Sequence, residues 1–330
     1  MLPENIFENQ FPSINGVYIP KILKRHKIVS NCCTMKEKIT YSIYPIGNKQ
    51  TDEPGIVDPP ITPEEDFCSC ETPLHSGKLP GTDITWTICG NTDTLFITGT
   101  GPLPNTNSAW KNHYDAFNKI VIGNGITTIG QSAFHKCTNL VKVVISDSVT
   151  SIARDAFYDC NNLVEVTIPN SVTSIGQSAF YGCAFVELII PDSVTNIDIF
   201  AFYLCTSLVK VTIGNSLTTI GQTVFGSCTN LVEVNISNSV TTIADRAFSA
   251  CSGLVEVTIP NSVTTIGNHS FQLCTGITKM INHALVPQII NGTVFLNVNI
   301  NTIVLEVPTA SLTLYQSADI WKDFQNIVGI

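Results

Sequence analysis

The sequence predicts a β-rich solenoid, because three features recur along the chain with a nearly constant period. A phenylalanine returns every 22 or 23 residues, a cysteine follows it by three residues, and a run of β-branched residues begins shortly afterwards. Self-similarity at such a period is typical of stacked repeats, in which each unit buries its apolar face against its neighbours. The phenylalanines are Phe134, Phe157, Phe180, Phe202, Phe225, Phe248 and Phe271, and the cysteines are Cys137, Cys160, Cys183, Cys205, Cys228, Cys251 and Cys274.

One coil, Cys160 to Gly182, shows how the residues of a repeat predict its local structure. The segment 163–168 alternates in polarity and is rich in β-branched residues, which favours a short strand. Pro169 lacks a backbone donor and ends that strand, and the segment 172–175 predicts a second short extended piece. We expect residues 176–180 to close the coil through a short helical or 3₁₀ turn. Equivalent residues of adjacent coils then stack at about 4.8 Å, and their inward side chains form one core.

The repeated cysteines predict small buried side chains rather than a metal site or a thiol relay. A free cysteine behaves as a small apolar residue and is readily buried, and the C-x₂-C spacing typical of zinc ligands is absent. We therefore expect the seven repeat thiols to be reduced and slow to react. Five other cysteines fit several disulfide pairings, because connectivity does not follow from spacing. They are Cys32, Cys33, Cys68, Cys70 and Cys89.

The sequence outside the repeats predicts caps and a leader. Residues 1–66 lack the repeat and end in a proline-rich acidic stretch, so we expect a weakly ordered leader and linker. Residues 67–116 are predicted to form an N-terminal cap, 117–297 a solenoid of about eight coils, and 298–330 a C-terminal cap. Caps are expected because the open ends of a repeat stack would expose its core.

Each cap has its own local pattern. Alternation in the segments 84–88 and 95–97, on either side of turn residues, predicts a β-hairpin, and Trp86 and Trp110 are expected to cover the first coil. At the other end, residues 305–307 predict the last strand. Thr309 is expected to cap a short helix there. Three residues are expected to seal the core behind it, namely Trp321, Phe324 and Ile327.

Composition and charge exclude several classes of function. Charged residues make up 13% of the chain, the net charge is −9, and four basic and ten acidic side chains lie between Cys137 and Cys274. This balance argues against binding nucleic acid through its phosphates, and no apolar stretch is long enough for a membrane span. The six histidines share no repeated position, and H-E-x-x-H, G-x-S-x-G and P-loop motifs are absent. We expect no enzyme, no metal and no cofactor.

The repeat L-x-x-V-x-I-P-x-S-V-T-x-I-G-x-x-A-F-x-x-C resembles the BspA-like leucine-rich-repeat family. The segment 84–110 is similar to that family's opening TWTL…LTISGTGAMP…PW, and the segment 305–324 is similar to the closing LYVP…Y…A..W..F of its Bacteroidetes members. The resemblance covers residues 77–330. It implies a right-handed α/β leucine-rich-repeat coil in a cell-surface or secreted protein that binds host proteins or other bacteria, without catalytic residues. Met1 to Lys21 contain no basic segment followed by an apolar run, so we expect no secretory signal in this chain.

These observations favour a non-catalytic protein–protein interaction module of the adhesin type. The first alternative is a structural spacer or a self-associating scaffold. The second alternative is a carbohydrate-binding module, which would show exposed aromatic residues along the sheet face. The repeats place almost none there.

Two surfaces are candidates for binding a protein partner. The first is a row of charged residues midway in the repeated strand segment, which should lie side by side on one exposed face. They are Lys142, Glu165, Glu187, Lys210, Glu233 and Glu256. The second surface is the coil of only 22 residues, in which Ile199 and Phe200 replace polar residues and Tyr203 follows. These side chains either form an exposed apolar patch near Phe185 and Ile189, or fold back to fill the space left by a missing residue near Ala184.

Overall fold

The computed structural model describes residue 70, residues 73–105 and residues 109–330. The predicted leader, residues 1–66, lies outside the described residues, and the cap boundaries at 116 and 297 stay predictions. Within the described residues the chain forms a β-solenoid, and each coil has three sides. We name them the long-strand side, the short-strand side and the turn side.

The long-strand side follows from the L-x-x-V-x-I segment of each repeat. Alternate residues point into the core, so Val143 and Ile145 are buried whereas Lys142 and Val144 are partly exposed. The strands run parallel in three successive sheets, and equivalent residues pair within each sheet. They are Thr94–Thr98, Lys119–Ile122, Lys142–Ile145, Glu165–Val166, Glu187–Ile190, Lys210–Ile213, Glu233–Asn235, Glu256–Ile259, Lys279–Asn282, Val304–Val307 and Asn326–Gly329.

The short-strand side follows from the V-T-x-I segment. Its strands also pair in parallel, and Ser174, for example, lies between Ser151 and Asn196. The pairing is interrupted once, between Asn196–Ile197 and Thr219–Ile220. From the second strand onward, the isoleucine that ends each strand is buried. The strands are Gly101–Pro102, Ile126–Ile129, Ser151–Ile152, Ser174–Ile175, Asn196–Ile197, Thr219–Ile220, Thr242–Ile243 and Thr265–Ile266.

The turn side differs from the helical or 3₁₀ turn that we expect from the sequence. The coil carries two residues with left-handed backbone there, such as Asp155 at φ 54° and Asp159 at φ 55°. A left-handed residue cannot continue a right-handed helix, so this side consists of single turns, such as the bond from the Tyr158 N–H to the Asp155 carbonyl at 3.2 Å, and alternate N–H groups bond to the adjacent coil. The Phe157 N–H, for example, donates to the Ala179 carbonyl at 2.7 Å. Coils are therefore hydrogen-bonded to one another on all three sides.

The solenoid has about ten turns, more than the predicted eight, because ten turns link the eleven described long strands. At the N-terminal end, Thr94–Thr98 belongs to the hairpin but also pairs in parallel with Lys119–Ile122. At the C-terminal end, Val304–Val307 is not the last strand, since Asn326–Gly329 pairs beside it. Both added strands lack the repeat sequence and continue the stack through backbone pairing.

A column of stacked aromatic rings runs through the core. Neighbouring phenylalanine rings from Phe134 to Phe295 have centroids 5.2–5.9 Å apart and planes inclined by 4–17°. Trp110 stacks on the first ring at 5.3 Å, and Trp321 meets the last ring edge-to-face at 6.0 Å. Both tryptophans are fully buried, which confirms that they seal the two ends of the core. The sequence pattern missed Phe295 because it follows Phe271 by 24 residues.

The N-terminal hairpin is confirmed. Thr85–Cys89 pairs antiparallel with Thr94–Thr98 across the predicted turn. An additional strand, Pro73–Lys78, pairs antiparallel with Thr85–Cys89 and forms the edge of the described sheet. Trp86 is buried between this hairpin and the first coil, as expected.

The C-terminal helix is shorter than expected, and Thr309 does not cap it. The helix is Leu312–Tyr315, preceded by the 3₁₀ turn Thr309–Ser311, and neither has a side-chain cap. The Thr309 hydroxyl instead donates to the Ile330 carbonyl at 3.0 Å, because the added last strand returns beside it. The other 3₁₀ turns are Lys111–His113, Ile300–Thr302 and Trp321–Asp323.

Truncating a central ring of the column, as in Phe225→Ala, should lower the free energy of unfolding by about 3–5 kcal/mol. Phe225 is fully buried and stacks on rings on both sides, at 5.6 and 5.7 Å. The coils cannot close over the resulting cavity without losing the register of their β pairing. Denaturant unfolding followed by circular dichroism measures the loss. The control is Ser249→Ala on the turn side, which should change the value by less than about 0.5 kcal/mol. Equal effects of the two variants would contradict the central role of the column.

Candidate interaction surfaces

The predicted charged row lies on the solvent-facing surface of the long-strand side. Each of its residues begins a long strand, and the parallel register places Lys210 between Glu187 and Glu233. The structure thus brings the row together, as the repeat predicts, although β pairing along it is interrupted twice. The interruptions fall between Glu165 and Glu187 and between Glu233 and Glu256.

Opposite charges form ion pairs along the row, and Lys279 in the next long strand pairs with the last residue of the row, Glu256. Lys210 Nζ lies 3.0 Å from Glu233 Oε1, Lys142 Nζ lies 3.6 Å from Glu165 Oε2, and Lys279 Nζ lies 3.7 Å from Glu256 Oε2. All these side chains are at least one-third exposed, so solvent screens the pairs and they contribute little to the stability of the fold. The row is therefore a solvated charge pattern on an exposed sheet face.

A stripe of half-exposed valines, which we name the valine stripe, runs beside the charged row. Each valine directly precedes a charged residue of the row and is 38–39% exposed. Neighbouring side chains of a regular strand point to opposite faces, but these valines lie just outside their strands, so both they and the following charges face solvent. The sequence shows the repeated valine but not its orientation. The stripe consists of Val141, Val164, Val186, Val209 and Val255.

The apolar patch predicted in the 22-residue coil is divided between two sides of the solenoid. Phe185 is fully buried and packs edge-to-face on Phe180 at 5.5 Å, so it fills the core position that Leu163 has in the preceding coil. Ile189 is 69% exposed, but it lies on the long-strand side beside the charged row. Phe185, rather than Ile199 or Phe200, therefore compensates for the missing residue.

Phe200 lies on the turn side, and its backbone is left-handed at φ 60°. The equivalent positions of other coils hold small or polar residues, such as Ser132, Asp155 and Ser178. A bulky residue in this region is strained, at a cost of about 1 kcal/mol or more. Its ring is only partly buried and packs edge-to-face on Tyr203 at 5.5 Å. The coil thus accepts strain to hold an aromatic side chain at the surface, and Ile199 beside it is also partly exposed.

A row of rings that the sequence analysis missed also lies on the turn side. His135, Tyr158, Tyr181 and Tyr203 each follow a phenylalanine of the column, and neighbouring rings lie 4.5–5.4 Å apart. The position after each column phenylalanine varies in the repeat, so no consensus marks it. The first three rings stack face to face, whereas the Tyr203 ring is inclined by 37° to that of Tyr181.

A shallow cleft of about 270 Å³ lies beside this row, at the 22-residue coil. Its lining includes Asp159, Asn161, Tyr181 and Ser207. A Cβ added to Gly182 would lie 3.0 Å from Asp159 Oδ1 and 3.2 Å from Asn161 Oδ1, so the two oxygens point to one spot. The volume of the cleft is below the range of about 300–1,000 Å³ that is typical of ligand pockets.

The seven repeat cysteines are buried free thiols, as predicted. Six of them donate Sγ–H to the carbonyl of the column phenylalanine one coil earlier; Cys205, for example, bonds to Phe180 at 3.3 Å. Burial raises the pKa of the Cys205 thiol to about 12, so the nucleophilic thiolate does not form near neutral pH. This buried position of the repeat requires a small apolar side chain that can also donate a weak hydrogen bond, and cysteine meets both requirements.

Cys70 and Cys89 form a disulfide, one of the pairings that the sequence leaves open. Cys89 packs with Phe96 and Val121 in a small cluster on the solvent-facing surface of the long-strand side, and Val144 lies against it. The disulfide therefore covers the N-terminal end of that surface. Three further cysteines lie outside the described residues, namely Cys32, Cys33 and Cys68.

Among the residues that the structure describes, no group of three His, Cys, Asp or Glu side chains is placed to hold a metal ion. No helix in the same part of the chain has the length and apolarity needed to cross a membrane.

These features define the class of the protein as a β-solenoid built from leucine-rich repeats with a patterned exposed sheet. The chain belongs to the BspA type leucine-rich-repeat family, whose model matches six copies over residues 106–210 and 173–301. No curated protein matches the chain.

Several solved structures are similar to this chain. A leucine-rich repeat protein from Eubacterium ventriosum is 24% identical, with a TM-score of 0.41, over 72% of this chain and 79% of that one. The leucine-rich repeat protein of T. pallidum is 22% identical, with a TM-score of 0.42, over 61% and 91% of the two chains. One from Bacteroides ovatus is 21% identical, with a TM-score of 0.35, over 72% and 81%.

The repeat thiols should resist a thiol reagent in the native protein at pH 8 and react once guanidinium unfolds it. Burial shields all seven thiols from the reagent, and it also raises the pKa of five of them, which suppresses thiolate formation in the folded state. These five are Cys137, Cys183, Cys205, Cys228 and Cys274. Mass spectrometry after timed labelling measures the modification of each cysteine. Fast native labelling of all seven would show that the inward assignment is wrong.

The same raised pKa predicts how stability depends on pH. The Cys205 thiol has a pKa of about 12 in the folded chain against 9.0 for the reference thiol. As the pH rises, the unfolded chain therefore loses this proton before the folded chain does. The contribution of the protonated Cys205 thiol to the free energy of unfolding is fully present below about pH 9 and is lost as the pH rises towards 12.

Proposed function

We propose that this chain is a non-catalytic protein–protein interaction module of the adhesin type, exposed on a cell surface or secreted, that binds host or bacterial surface proteins. The leucine-rich-repeat family is consistent with a protein-interaction module. The observation that carries the proposal is the exposed long-strand side, where the charged row and the valine stripe run in parallel over successive coils.

This surface combines the two components of a protein interface. The valine stripe and Ile189 supply apolar area that a partner can cover, and the charged row supplies complementary contacts that orient it. Both components recur at the spacing of the strands, about 4.8 Å. An extended partner segment can therefore contact several coils at once, and contacts that are individually weak add up.

The Cys70–Cys89 disulfide supports the proposed location. Disulfides form and persist in oxidising compartments, including secreted and surface proteins, and are rare in the cytosol. The seven buried repeat thiols are compatible with such a compartment, because burial protects them from oxidation and exchange.

Binding to a panel of extracellular-matrix proteins, mucins, glycans and bacterial surface proteins tests the proposal on the full chain. We expect saturable binding to at least one protein, and at least about tenfold weaker binding after Glu233→Lys/Glu256→Lys. These substitutions reverse two exposed charges of the row. Surface plasmon resonance, repeated at raised salt, measures the change.

Two further variants show whether a loss of binding comes from the charged row, from net charge or from the turn side. Asp147→Lys/Asp198→Lys makes the same change in net charge at exposed positions away from the row and should bind like the wild type. Phe200→Ser tests the turn side without unfolding it, because Ser178 has the same left-handed backbone one coil earlier. Loss of binding only in Phe200→Ser would move the site to the turn side. Absence of binding to every panel member would favour the spacer or scaffold alternative, and binding only to glycans would favour the carbohydrate alternative.

The disulfide makes a separate prediction. Cys89→Ala should lower the free energy of unfolding by about 3 kcal/mol, because the bond closes a loop between residues 19 apart. Dithiothreitol should destabilise the wild type by a similar amount and leave the variant unchanged. Melting curves with and without reductant measure both effects. A wild type that is insensitive to reductant would remove this support for an oxidising compartment.

A further inference from the structure

Two asparagine–glycine pairs lie among the described residues, namely Asn124–Gly125 and Asn291–Gly292. In such a pair the glycine nitrogen can attack the side-chain amide carbon of the asparagine, because glycine has no side chain to hinder the approach. The products are a cyclic succinimide and ammonia. The two pairs have the same composition, so any difference in their reactivity comes from the structure. A third pair, Asn15–Gly16, lies outside the described residues.

The side chain of Asn291 is folded back over the backbone that follows it. Asn291 Oδ1 accepts the Thr293 N–H at 2.9 Å, and the Thr293 hydroxyl donates to the same oxygen. This arrangement is an Asx turn, which brings Asn291 Cγ beside the nitrogen of Gly292. Asn291 Nδ2 donates to Asn268 Oδ1 on the preceding coil at 2.6 Å. The amide is therefore held from both ends in the position that the attack requires.

The attacking nitrogen is available to react. Within the described residues the Gly292 N–H donates no hydrogen bond, and Gly292 is exposed to solvent. A Cβ added to Gly292 would meet only Ile320 Cδ1, at 3.8 Å. Water can therefore reach the N–H and remove its proton.

Asn124–Gly125 has the opposite arrangement. The Gly125 N–H donates to Ser148 Oγ at 3.0 Å, so its nitrogen is already engaged. The backbone of Gly125 is left-handed at φ 98°. The Ile126 N–H, which would donate to the Asn124 side chain in an Asx turn, bonds to the Gly123 carbonyl at 3.4 Å instead. The structure therefore protects this pair.

We propose that Asn291 is a site of self-catalysed deamidation in the folded protein. The Gly292 nitrogen forms a bond to Asn291 Cγ as its proton passes to water, and the carbonyl electron pair moves onto Oδ1. The two Thr293 donors stabilise the negative charge on that oxygen. The bond from Cγ to Nδ2 then breaks, and the nitrogen takes a proton from water and leaves as ammonia. A water molecule opens the succinimide at either carbonyl, which gives aspartate or isoaspartate.

The modified residue lies where the last ring of the aromatic column joins the stack. The Val294 N–H donates to the Asn291 carbonyl at 3.1 Å, and the Phe271 N–H donates to the Val294 carbonyl at 3.1 Å. Isoaspartate adds a methylene group to the main chain inside this turn, and neither product keeps the amide that donates to Asn268. Conversion should therefore loosen the last coil and lower the melting temperature. This reaction goes beyond the proposed function and does not use the charged row.

Peptide mass spectrometry of the full chain, after timed incubation at pH 8 in water labelled with heavy oxygen, measures conversion at each asparagine. In the native protein Asn291 should convert at least about tenfold faster than Asn124 and should incorporate the label. In guanidinium the two rates should agree within about threefold, because unfolding removes the structural difference and leaves the shared dipeptide. Equal rates in the native protein would overturn the proposal.

Two variants test the nucleophile and the oxyanion donors. Gly292→Ala should slow conversion at least about tenfold by hindering the attack, and its melting temperature should match that of the wild type because the added Cβ has room. Thr293→Val keeps the backbone donor and loses the hydroxyl, so it should slow conversion about threefold or more. Thr150→Val is the matched control, since it removes an exposed threonine hydroxyl far along the chain, and it should convert like the wild type.

Three further results would contradict the proposal. They are a Gly292→Ala variant that converts as fast as the wild type, a Thr293→Val variant that cannot be distinguished from Thr150→Val, and a wild type whose melting temperature is unchanged after Asn291 has been converted. None of these results bears on partner binding by the charged row, so the two proposals fail independently.

Discussion

The structure depends on the stacking of equivalent residues from one coil to the next. A single coil of about 23 residues cannot enclose a core, so its leucine, valine, isoleucine and phenylalanine side chains are buried only by the coils on either side. The register is maintained on all three sides by backbone hydrogen bonds between coils. The aromatic column and the Cys-to-Phe hydrogen bonds repeat the same register within the core.

Stacking also determines the surface, because every exposed position of the repeat becomes a row. Where neighbouring residues have opposite charge, as at Lys210 and Glu233, the row contains an ion pair. Where two carboxylates adjoin, as at Glu233 and Glu256, strand pairing is interrupted. The surface is thus patterned along the solenoid, and a partner that recognises one coil meets a related pattern on the next.

Departures from the repeat are where the structure adds most to the sequence. The 22-residue coil places Phe185 in the core and a strained Phe200 at the surface. The loop around Gln288 replaces a serine hydrogen bond with a glutamine and exposes three aliphatic residues. In both places a different residue type makes the polar or core contact between coils. The stack therefore stays intact although nearby side chains are exposed at the surface.

The sequence by itself determined the solenoid, the inward ladders, the N-terminal hairpin and the charged row, because each depends on a period or alternation visible along the chain. It also predicted that Trp110 and Trp321 would close the core. Only the tertiary structure decided the number of coils, since Asn326–Gly329 joins the sheet through backbone pairing that has no sequence pattern. Only the tertiary structure shows that the valines of the stripe face solvent and that Cys70 pairs with Cys89. It also shows that Thr309 bonds to Ile330 and does not cap a helix. The physical reason is that periodicity determines which residues are equivalent, whereas exposure, disulfide partners and end contacts depend on residues that are far apart in the chain.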